Sequence, residues 1–535
     1  MKRVVAAFSA AALTVGLAGT SVAQAAPAPP AAPTTAGYTP PPINWVDCTD
    51  PDLVDAGAKC GYVTVPLNYA RPGGSKIKLY VSRVMHTSLD YKGVALVNPG
   101  GPGGAGVRMS RLGGWLPGNV GDKYDWIGWD PRGVGGSRPA LHCNNRYLGF
   151  DRPNYVPRTA DLMRFWRHKT ARYSNACGDA TASRLLAHVK TKDSVRDMES
   201  IRKALGVAKI SFYGFSYGTY LGQVYATLHP SRVGRFVFDG TVDPRGVWYK
   251  ANLAQNVAFD QNIRRYWRYL ANHPAAFRLG TDPVAIRRGY YATLRRLDNR
   301  PAYHGRIGPD ELNDVMVGAA YYRYGWVDTG LAYSKLVRRV TAKPIHDMFA
   351  GGLGDDNGYA MYLGTQCTDV QWPKLWSKWK ADAWRQHANH PFLTWNNTWY
   401  NAPCLNWPAR AGIPVQVTGA NVDVPILMIN ETFDAATPYA GSIEVRRRFP
   451  TASLIEGVNG TTHSGSLSGI ACTDDAIAAY LDTGVVPPRL AGARSDKKCA
   501  PVPAPQPGAA RQVASARVAL MDANRDMWFG FRPFG

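Results

Sequence analysis

Three polar side chains follow apolar, strand-like runs and carry the groups that nucleophilic catalysis needs. Ser216 lies in YGFSYGTYLG, Asp434 in ETFDAATP and His463 in NGTTHSG. A serine hydroxyl is a poor nucleophile until a base takes its proton, and a histidine oriented by a carboxylate is such a base. Together the three residues predict a hydroxyl nucleophile, its general base and the acid that orients the base.

The residues around Ser216 form the pattern G-x-S-x-G, with Gly214 and Gly218 on either side. The pattern follows the apolar run KISFYGF and precedes a segment that is compatible with a helix. In that context it is typical of a sharp strand-to-helix turn that exposes the serine hydroxyl above the carboxyl end of a sheet. An ordinary glycine-rich turn is the alternative, but the strand–turn–helix context favours a nucleophile.

The order of the residues along the chain selects the partners of Ser216. In folds with this turn the acid comes next and the histidine last. Asp434 follows the apolar run VPILMIN, whereas its rival Asp423 precedes that run and so lies at the wrong end of the strand. His463 is the only one of the 11 histidines beyond residue 434. A loop aspartate is more often a turn former or a helix cap, so the assignment of Asp434 depends on the whole set.

Two backbone N–H groups are expected to bind the oxyanion of the tetrahedral intermediate. One belongs to Tyr217, the residue after the nucleophile. The other is expected in the loop NPGGPGGAG at 98–106, where Gly100 and Gly101 allow the backbone to approach a substrate closely. A loop that cradles phosphate is the alternative, and the absence of a G-K-[ST] ending disfavours it.

Short apolar runs alternate with helical segments along much of the chain. The predicted strands are YVTVPL (62–67), IKLYVSRVM (77–85), GVALVNPGG (93–101), YDWIGWDPRG (124–133), KISFYGFS (209–216), RVGRFVFDG (232–240), VPILMINETFD (424–434) and ASLIEGVNG (452–460). Helical spacing of apolar residues predicts a helix over 191–206. This alternation predicts an α/β fold with a mostly parallel sheet that helices cover on both faces.

The region 245–410 interrupts this alternation. It is rich in Trp, Tyr and Arg and contains few strand signals, so we expect it to be mainly helical. Because sheet strands resume after it, we interpret it as an insertion that caps the sheet. A separate domain with no role in the site is the alternative.

The N-terminal residues 1–25 have the charged start, short apolar run and Ala-Gln-Ala end of a secretory signal peptide. A first transmembrane helix is the alternative, but the apolar run is short and rich in Ala, Gly and Ser. Residues 26–42 are a Pro- and Ala-rich linker or pro-segment.

The eight cysteines are even in number and form no C-x-x-C pair, which favours disulfides over zinc. Pairing between sequence neighbours would join Cys48 to Cys60, Cys143 to Cys177, Cys367 to Cys404 and Cys472 to Cys499, although sequence alone does not determine connectivity.

The formal charge of +23 comes from basic residues that are spread along the chain. No basic stripe interleaved with stacking aromatic residues is present, so we expect no nucleic-acid partner and attribute the charge to solubility and loose attraction to anionic surfaces. No later stretch is long and apolar enough to span a bilayer. We expect a secreted monomer that uses no metal and no cofactor.

Several motifs together resemble one family of enzymes. NPGGPGGAG, GWDPRGVGGS, YGFSYGTYLGQVYATLHP, CLNWP and NETFDAATP followed by GTTHSG are similar to the secreted bacterial tripeptidyl aminopeptidases. These are α/β-hydrolase serine peptidases related to the prolyl iminopeptidases, and the similarity extends from about residue 43 to about residue 500. The resemblance implies removal of a tripeptide, or a similarly short unit, from a free N-terminus, with Ser216, Asp434 and His463 as the triad. With the interruption at 245–410, the predicted division is 43–244 and 411–500 for the α/β-hydrolase core, 245–410 for the helical cap and 501–535 for a tail.

An exopeptidase must bind the ammonium group of its substrate at a fixed distance from the nucleophile, and a carboxylate is the natural partner. Related sequences often have an acidic residue before the cysteine of GTQCTD, where this chain has Gln366. Asp369 and Glu311 are therefore the candidates in the helical region, with Asp314, Asp355 and Asp356 as further ones. A carboxylesterase or lipase with the same triad is the alternative function, and a non-catalytic cell-surface binding protein is the second alternative.

Overall fold

The computed structural model describes residues 38–508, so the predicted signal peptide and most of the predicted linker and tail lie outside the described residues. Within this range the chain forms ten strands. They are β1 (Val46–Asp47), β2 (Lys59–Pro66), β3 (Lys76–Val84), β4 (Gly93–Asn98), β5 (Tyr124–Trp129), β6 (Ile210–Phe215), β7 (Val233–Asp239), β8 (Ile426–Glu431), β9 (Ala452–Gly457) and β10 (Lys497–Cys499).

All ten strands belong to one sheet with the order β1-β2-β3-β5-β4-β6-β7-β8-β9-β10. The pairs β1–β2, β2–β3 and β3–β5 are antiparallel, and every other neighbouring pair is parallel. The prediction of a mostly parallel sheet is therefore confirmed. The short strands β1 and β10 were not predicted, because two or three residues are too few to show an alternating pattern.

Fifteen α-helices are present in the described part of the chain. They are α1 (Pro51–Asp55), α2 (Ala160–Asp179), α3 (Thr191–Ala204), α4 (Tyr217–Leu228), α5 (Tyr249–Ala271), α6 (Pro274–Phe277), α7 (Pro283–Asn299), α8 (Pro309–Tyr321), α9 (Trp326–Val337), α10 (Lys343–Ala350), α11 (Asn357–Asp369), α12 (Trp376–His387), α13 (Thr394–Asn401), α14 (Tyr439–Arg448) and α15 (Ala471–Thr483). The helix predicted over 191–206 corresponds to α3, and Gly206 follows its end with a φ of 68°.

Successive residues of the central strands point into two different apolar clusters, as the period of two in a strand requires. In β7, Phe236 and Phe238 pack in one cluster with α3, α4 and α14, whereas Val237 packs in another with α15 and the 3₁₀ segment Val107–Trp115. Both faces of the sheet are thus covered. Because each central strand is buried on both sides, it appears in the sequence as a continuous apolar run.

The chain between β7 and β8 forms the nine helices α5–α13, which we call the helical insertion. Among the described residues of this region the only β pairing is an isolated bridge between Ala302 and Ile307. Its helices build an apolar cluster around Tyr266, Trp267 and Tyr290, which accounts for its many aromatic residues. Trp372, which precedes α12, and Trp379 within it are buried and stack with ring centroids 5.5 Å apart.

The four disulfides join Cys48–Cys60, Cys143–Cys177, Cys367–Cys404 and Cys472–Cys499, as sequence neighbours were predicted to pair. No helix within residues 38–508 combines the length and apolar character that a bilayer span requires.

Candidate active site

Ser216 occupies the turn between β6 and α4 with φ 54° and ψ −123°, a conformation that a non-glycine residue rarely adopts. The turn is anchored because the Ser216 N–H donates to the Asp239 carbonyl at 2.9 Å. A Cβ at Gly214 would lie 2.6 Å from the Gly218 carbonyl oxygen, and a Cβ at Gly218 would lie 2.7 Å from the Asn98 carbonyl oxygen. The two glycines of G-x-S-x-G are thus required by the crowding of this turn.

Asp434 and His463 form a buried hydrogen-bonded pair. The distance between Asp434 Oδ2 and His463 Nδ1 is 2.8 Å, and the two residues are 2% and 3% exposed. The same carboxylate accepts hydrogen bonds from the Thr437 N–H at 3.0 Å and the Thr437 hydroxyl at 2.8 Å. A carboxylate at Nδ1 favours the tautomer with its proton there, which leaves Nε2 as an acceptor.

The sheet brings these residues together at the carboxyl ends of its central strands. Ser216 follows β6, Asp434 follows β8 and His463 follows β9, and these strands lie within four neighbouring positions of the sheet. Ser216 and His463 both line a cavity of about 420 Å³, and Tyr217 and Gly101 line it beside them. Its volume is in the range of about 300–1,000 Å³ that is typical of ligand sites.

The two glycines that were predicted to serve the oxyanion in the loop after β4 have different surroundings. Gly100 has a φ of 102°, and a Cβ there would lie 2.5 Å from the Phe215 carbonyl oxygen, so this position requires glycine. Its N–H donates to Asn98 Oδ1 at 3.0 Å and is therefore already engaged. Gly101 lines the cavity and Gly100 does not. Of the two glycines, only Gly101 presents its backbone to the site.

Gly240 is a site residue that sequence reasoning missed. It follows β7 with a φ of 68°, and a Cβ there would lie 2.9 Å from His463 Cε1. Any other residue would press on the imidazole ring. The Asp-Gly pair at the end of a predicted strand was the available signal, but it is equally typical of an ordinary turn.

Helices of the insertion form much of the remaining wall of the cavity, together with residues 242–246 after β7 and 436–441 after β8. The residues that line it from α5, α8, α11 and α13 are mostly neutral, with amides and aromatic groups prominent and Lys250 as the one charged side chain among them: Lys250, Ala251, Asn252, Ala254, Gln255, Phe259, Val317, Tyr321, Tyr362, Gln366, Asn397 and Tyr400. Asn252 Nδ2 donates to Gln366 Oε1 at 3.2 Å. Among the described lining residues the only carboxylate is Asp243, and Arg245 binds it through Nε at 3.0 Å and Nη2 at 2.7 Å.

Two family models match the chain: "alpha/beta hydrolase fold" over residues 95–322 and "TAP-like protein" over residues 390–499. Tripeptidyl aminopeptidase of Streptomyces coelicolor is 36% identical over 482 residues, which are 87% of each chain. Serine protease Hip1 of Mycobacterium tuberculosis is 30% identical over 84% of this chain and 90% of that protein. Carboxylesterase B of the same organism is 30% identical over 91% of this chain and 94% of that protein.

The chain belongs to the α/β-hydrolase family that includes the tripeptidyl aminopeptidases. It is a hydrolase, and the α/β-hydrolase fold with a helical insertion that the resemblance implied is confirmed.

The two carboxylates predicted to bind a substrate ammonium do not reach the cavity of this α/β hydrolase. Asp369 accepts hydrogen bonds from the Thr191 N–H and hydroxyl, both at 2.6 Å, and from Trp248 Nε1 at 3.0 Å. Burial raises its pKa to about 6. Asp369 is thus enclosed by groups that position α3 and the start of the insertion, and it has no surface on the cavity.

Glu311 caps the first turn of α8, where its Oε2 accepts from the Gly308 N–H at 2.9 Å. Its other oxygen lies 3.5 Å from Arg152, which also binds Asp314 at 2.6 Å. The acids therefore neutralise a buried arginine and do not line the cavity. The sequence shows an acidic residue in a first turn but not the distant arginine, and so the prediction was wrong.

Two further buried carboxylates hold the loops of this α/β-hydrolase site in place. Asp239 Oδ2 accepts from the Ser466 N–H at 2.9 Å and from the Ser466 hydroxyl. Glu431 Oε1 accepts from the Val502 N–H at 2.7 Å, and Glu431 Oε2 accepts from the Thr462 N–H. Burial raises the pKa of each carboxyl to about 7. Both residues end a strand and tie the loop that contains His463 to the sheet.

The helical insertion is bonded directly to the loop that contains His463. The His463 N–H donates to the Tyr321 carbonyl at 2.9 Å. Arg323 donates to Thr461 Oγ1 at 2.9 Å, to the Asn459 carbonyl at 3.0 Å and to the Val502 carbonyl at 2.7 Å. The position of the imidazole is therefore set jointly by the sheet, by the end of α8 and by the residues between α8 and α9.

Proposed function

We propose that this α/β hydrolase is a serine exopeptidase that releases tripeptides, or similarly short peptides, from the free N-terminus of a substrate. The observation that carries the proposal is that Ser216 and the Asp434-bonded His463 line one cavity that the helical insertion also lines. The similarity to relatives named tripeptidyl aminopeptidase supports peptides as the substrate class. The four disulfides support a site of action outside the cytoplasm.

In the proposed mechanism His463 Nε2 takes the proton from Ser216 Oγ while this oxygen attacks the scissile carbonyl carbon. The resulting oxyanion is stabilised by the backbone N–H groups of Tyr217 and Gly101. His463 then gives its proton to the departing amine, the C–N bond breaks, and an acyl-enzyme remains on Ser216. A water molecule, deprotonated by His463, attacks the ester, and collapse of the second intermediate restores the Ser216 hydroxyl and releases the peptide acid.

Asp434 acts in this mechanism through His463. Its carboxylate keeps the Nδ1 proton in place and stabilises the imidazolium that forms in each transition state. The hydroxyl and N–H of Thr437 hold the carboxylate in the orientation that this hydrogen bond needs. Thr437 is thus a positioning residue that sequence reasoning did not identify.

We propose that the helical insertion, predicted over 245–410, acts as a cap that limits the length of peptide beyond Ser216. The substrate ammonium is then received by neutral oxygens of the cap, with Gln366 Oε1 as the principal acceptor. Gln366 is 5% exposed and lines the cavity, unlike Asp369 and Glu311. Ammonium groups form strong hydrogen bonds with neutral oxygens as well as with carboxylates, because the donor carries the charge.

A carboxylesterase is the second candidate function. The same triad and oxyanion donors cleave esters, and one of the relatives at 30% identity is named Carboxylesterase B. The apolar and aromatic part of the cavity wall suits an acyl chain as well as peptide side chains.

The two functions are separated by three chromogenic substrates measured side by side: a tripeptidyl p-nitroanilide, its N-acetylated form and a p-nitrophenyl acyl ester. We expect the free tripeptide to be cleaved, and N-acetylation to lower kcat/KM by roughly 10- to 150-fold, which corresponds to one charged hydrogen bond. Equal cleavage of the blocked peptide would exclude an exopeptidase. Hydrolysis of the ester alone would establish the second candidate.

A further inference from the structure

A second cavity, of about 500 Å³, lies between the helical insertion and residues 154–158, which precede the insertion in the chain. Its walls come from that segment, from α7, from the first half of α8, from the end of α12 and from the chain around the start of α13. It is separated from the Ser216 cavity by the chain at α13, since Phe392, Trp395 and Asn396 line the second cavity whereas Leu393 and Asn397 line the first. The two cavities thus lie on opposite sides of one wall.

The rim of the second cavity is strongly basic. Four arginines line it: Arg158, Arg287, Arg288 and Arg295. The acidic residue at the rim is Asp298, which accepts a hydrogen bond from Asn154 Nδ2 at 3.0 Å. Guanidinium groups bind carboxylates in a bidentate manner, so this excess of positive charge favours an organic anion.

The walls and the floor add an apolar surface and unsatisfied polar atoms. Phe392 and Tyr291 provide aromatic surface. At the floor, Trp395 Nε1 and Asp310 Oδ2 have no hydrogen-bond partner among the described residues, and both side chains are 1% exposed. Buried polar atoms are seldom left without partners, so these two point to a polar group that enters the cavity.

Asp310 has one engaged and one unpartnered carboxyl oxygen at this floor. Its Oδ1 accepts from the Tyr155 N–H at 2.8 Å, whereas Oδ2 has no partner among the described residues. Burial raises the pKa of the Asp310 carboxyl well above its ordinary value. The floor therefore offers an indole N–H that suits a peptide carbonyl oxygen and a second polar atom beside it.

We propose that this cavity binds a short apolar peptide through its free C-terminal carboxylate. The carboxylate pairs with the arginines of the rim, an apolar side chain packs on Phe392 and Tyr291, and a peptide carbonyl accepts from Trp395 Nε1. The ligand class follows from the combination of a basic rim, aromatic walls and a buried N–H donor at the floor. The proposal does not depend on the function assigned to Ser216.

The experiment is a calorimetric titration of the full chain carrying Ser216→Ala, which prevents turnover, with N-acetyl-Ala-Ala-Phe and with its C-terminal amide. We expect the acid to bind and the amide to bind about tenfold more weakly, because it lacks the charge that the arginines recognise. Equal binding of acid and amide, or no binding of the acid at millimolar concentration, would overturn the proposal.

Variants in the same background show which cavity is occupied. Arg287→Gln combined with Arg288→Gln is expected to weaken the acid at least about tenfold, and Trp395→Phe, which keeps the ring and removes the N–H, about threefold to tenfold. Arg184→Gln combined with Arg410→Gln makes the same change in net charge at exposed positions and should leave binding unchanged. If both double variants lose affinity equally, the cavity is not the site. Peptide hydrolysis by the wild type is measured separately, so failure here leaves the function proposed for Ser216 untouched.

Discussion

Single residues of the site were predictable where a side chain of suitable chemistry also directly followed a predicted strand. Ser216, Asp434 and His463 each follow an apolar run, and the G-x-S-x-G motif, the place after a strand and the order along the chain together selected them. Gly240 and Thr437 could not be predicted in this way, because their roles depend on contacts with an imidazole and a carboxylate far along the chain. The acidic candidates failed for the same reason: a sequence shows a carboxylate but not the cation or N–H groups that bind it.

Replacing Ser216 with alanine is expected to abolish turnover while the fold remains. The loss in kcat should be about 10⁶-fold, because the nucleophile and the base act as a unit. Alanine retains the Cβ and hence the same backbone strain, so the free energy of unfolding should change by no more than about 0.5 kcal/mol. Steady-state kinetics, urea unfolding and labelling by a serine-directed phosphonate measure these effects. Ser75→Ala, at an exposed position, is the control, and full peptidase activity of the Ser216 variant would contradict the mechanism.

Replacing Gln366 with methionine tests the proposed acceptor of the substrate ammonium. The change keeps the length of the side chain and removes its oxygen, while Asn252 Nδ2 still donates to the Trp248 carbonyl at 3.0 Å. We expect KM for a free tripeptide substrate to rise by about tenfold, with a smaller effect on kcat, and no change for the N-acetylated form. Gln371→Met, on an exposed side chain, is the matched control. An equal rise in KM for both substrates would indicate a loss of packing instead.

At the scale of elements, the sequence was informative for the central strands and much less so for the helical insertion. Strands β4–β9 are almost wholly buried because both faces of the sheet are covered there, and their apolar runs stand out for that reason. Strands β2 and β3 stand out instead through alternation of buried and more exposed residues. In the insertion, large aromatic residues pack between helices on several sides, so no single apolar face repeats clearly enough to mark the ends of each helix. The sequence therefore predicted a helical region there but not its nine helices or the walls they give the cavity.

The contact between the insertion and the loop of His463 can be tested at Arg323. Arg323→Ala removes three hydrogen bonds to that loop and to the segment at Val502, so the imidazole should be held less firmly. We expect kcat to fall by roughly 10- to 100-fold, because a small displacement of a catalytic group is costly, with little change in KM. Kinetics with a tripeptide substrate measure the effect, and Arg338→Ala, at an exposed position, is the control. A loss of stability with unchanged kcat would show that the contact only supports the fold.

At the scale of the whole molecule, the buried carboxyls predict how stability depends on pH. The folded-state pKa values of Asp239 and Glu431 are about 7, above the ordinary carboxyl values of about 4. Between pH 4 and pH 7, roughly, the native state therefore binds more protons than the unfolded state. These two groups should therefore make the free energy of unfolding fall as pH rises from about 4 to about 7. The titratable groups that act on Asp239 are His463 and Asp434. Those that act on Glu431 are Arg323 and Asp434.

Asp239→Asn isolates one of these contributions. An amide oxygen can still accept from Ser466, and the neutral side chain has no charge to bury at high pH. We expect the urea midpoint of the wild type to fall between pH 5 and pH 7.5, and that of the variant to fall less. The same pH dependence in both proteins would contradict the assignment.

Each of the four disulfides closes a short stretch of chain, with separations of 12, 34, 37 and 27 residues. None of them links the part of the chain that provides Ser216 to the part that provides Asp434 and His463. A single proteolytic cut in the chain between the end of β7 at Asp239 and Cys367 would consequently leave two fragments with no covalent bond between them, and only non-covalent packing, including the pairing of β7 with β8, would keep them together. If the chain on either side of such a cut is expressed as a separate fragment, each fragment should form its own disulfides. Activity should appear only when the two fragments are mixed, so the pair could serve as a split reporter.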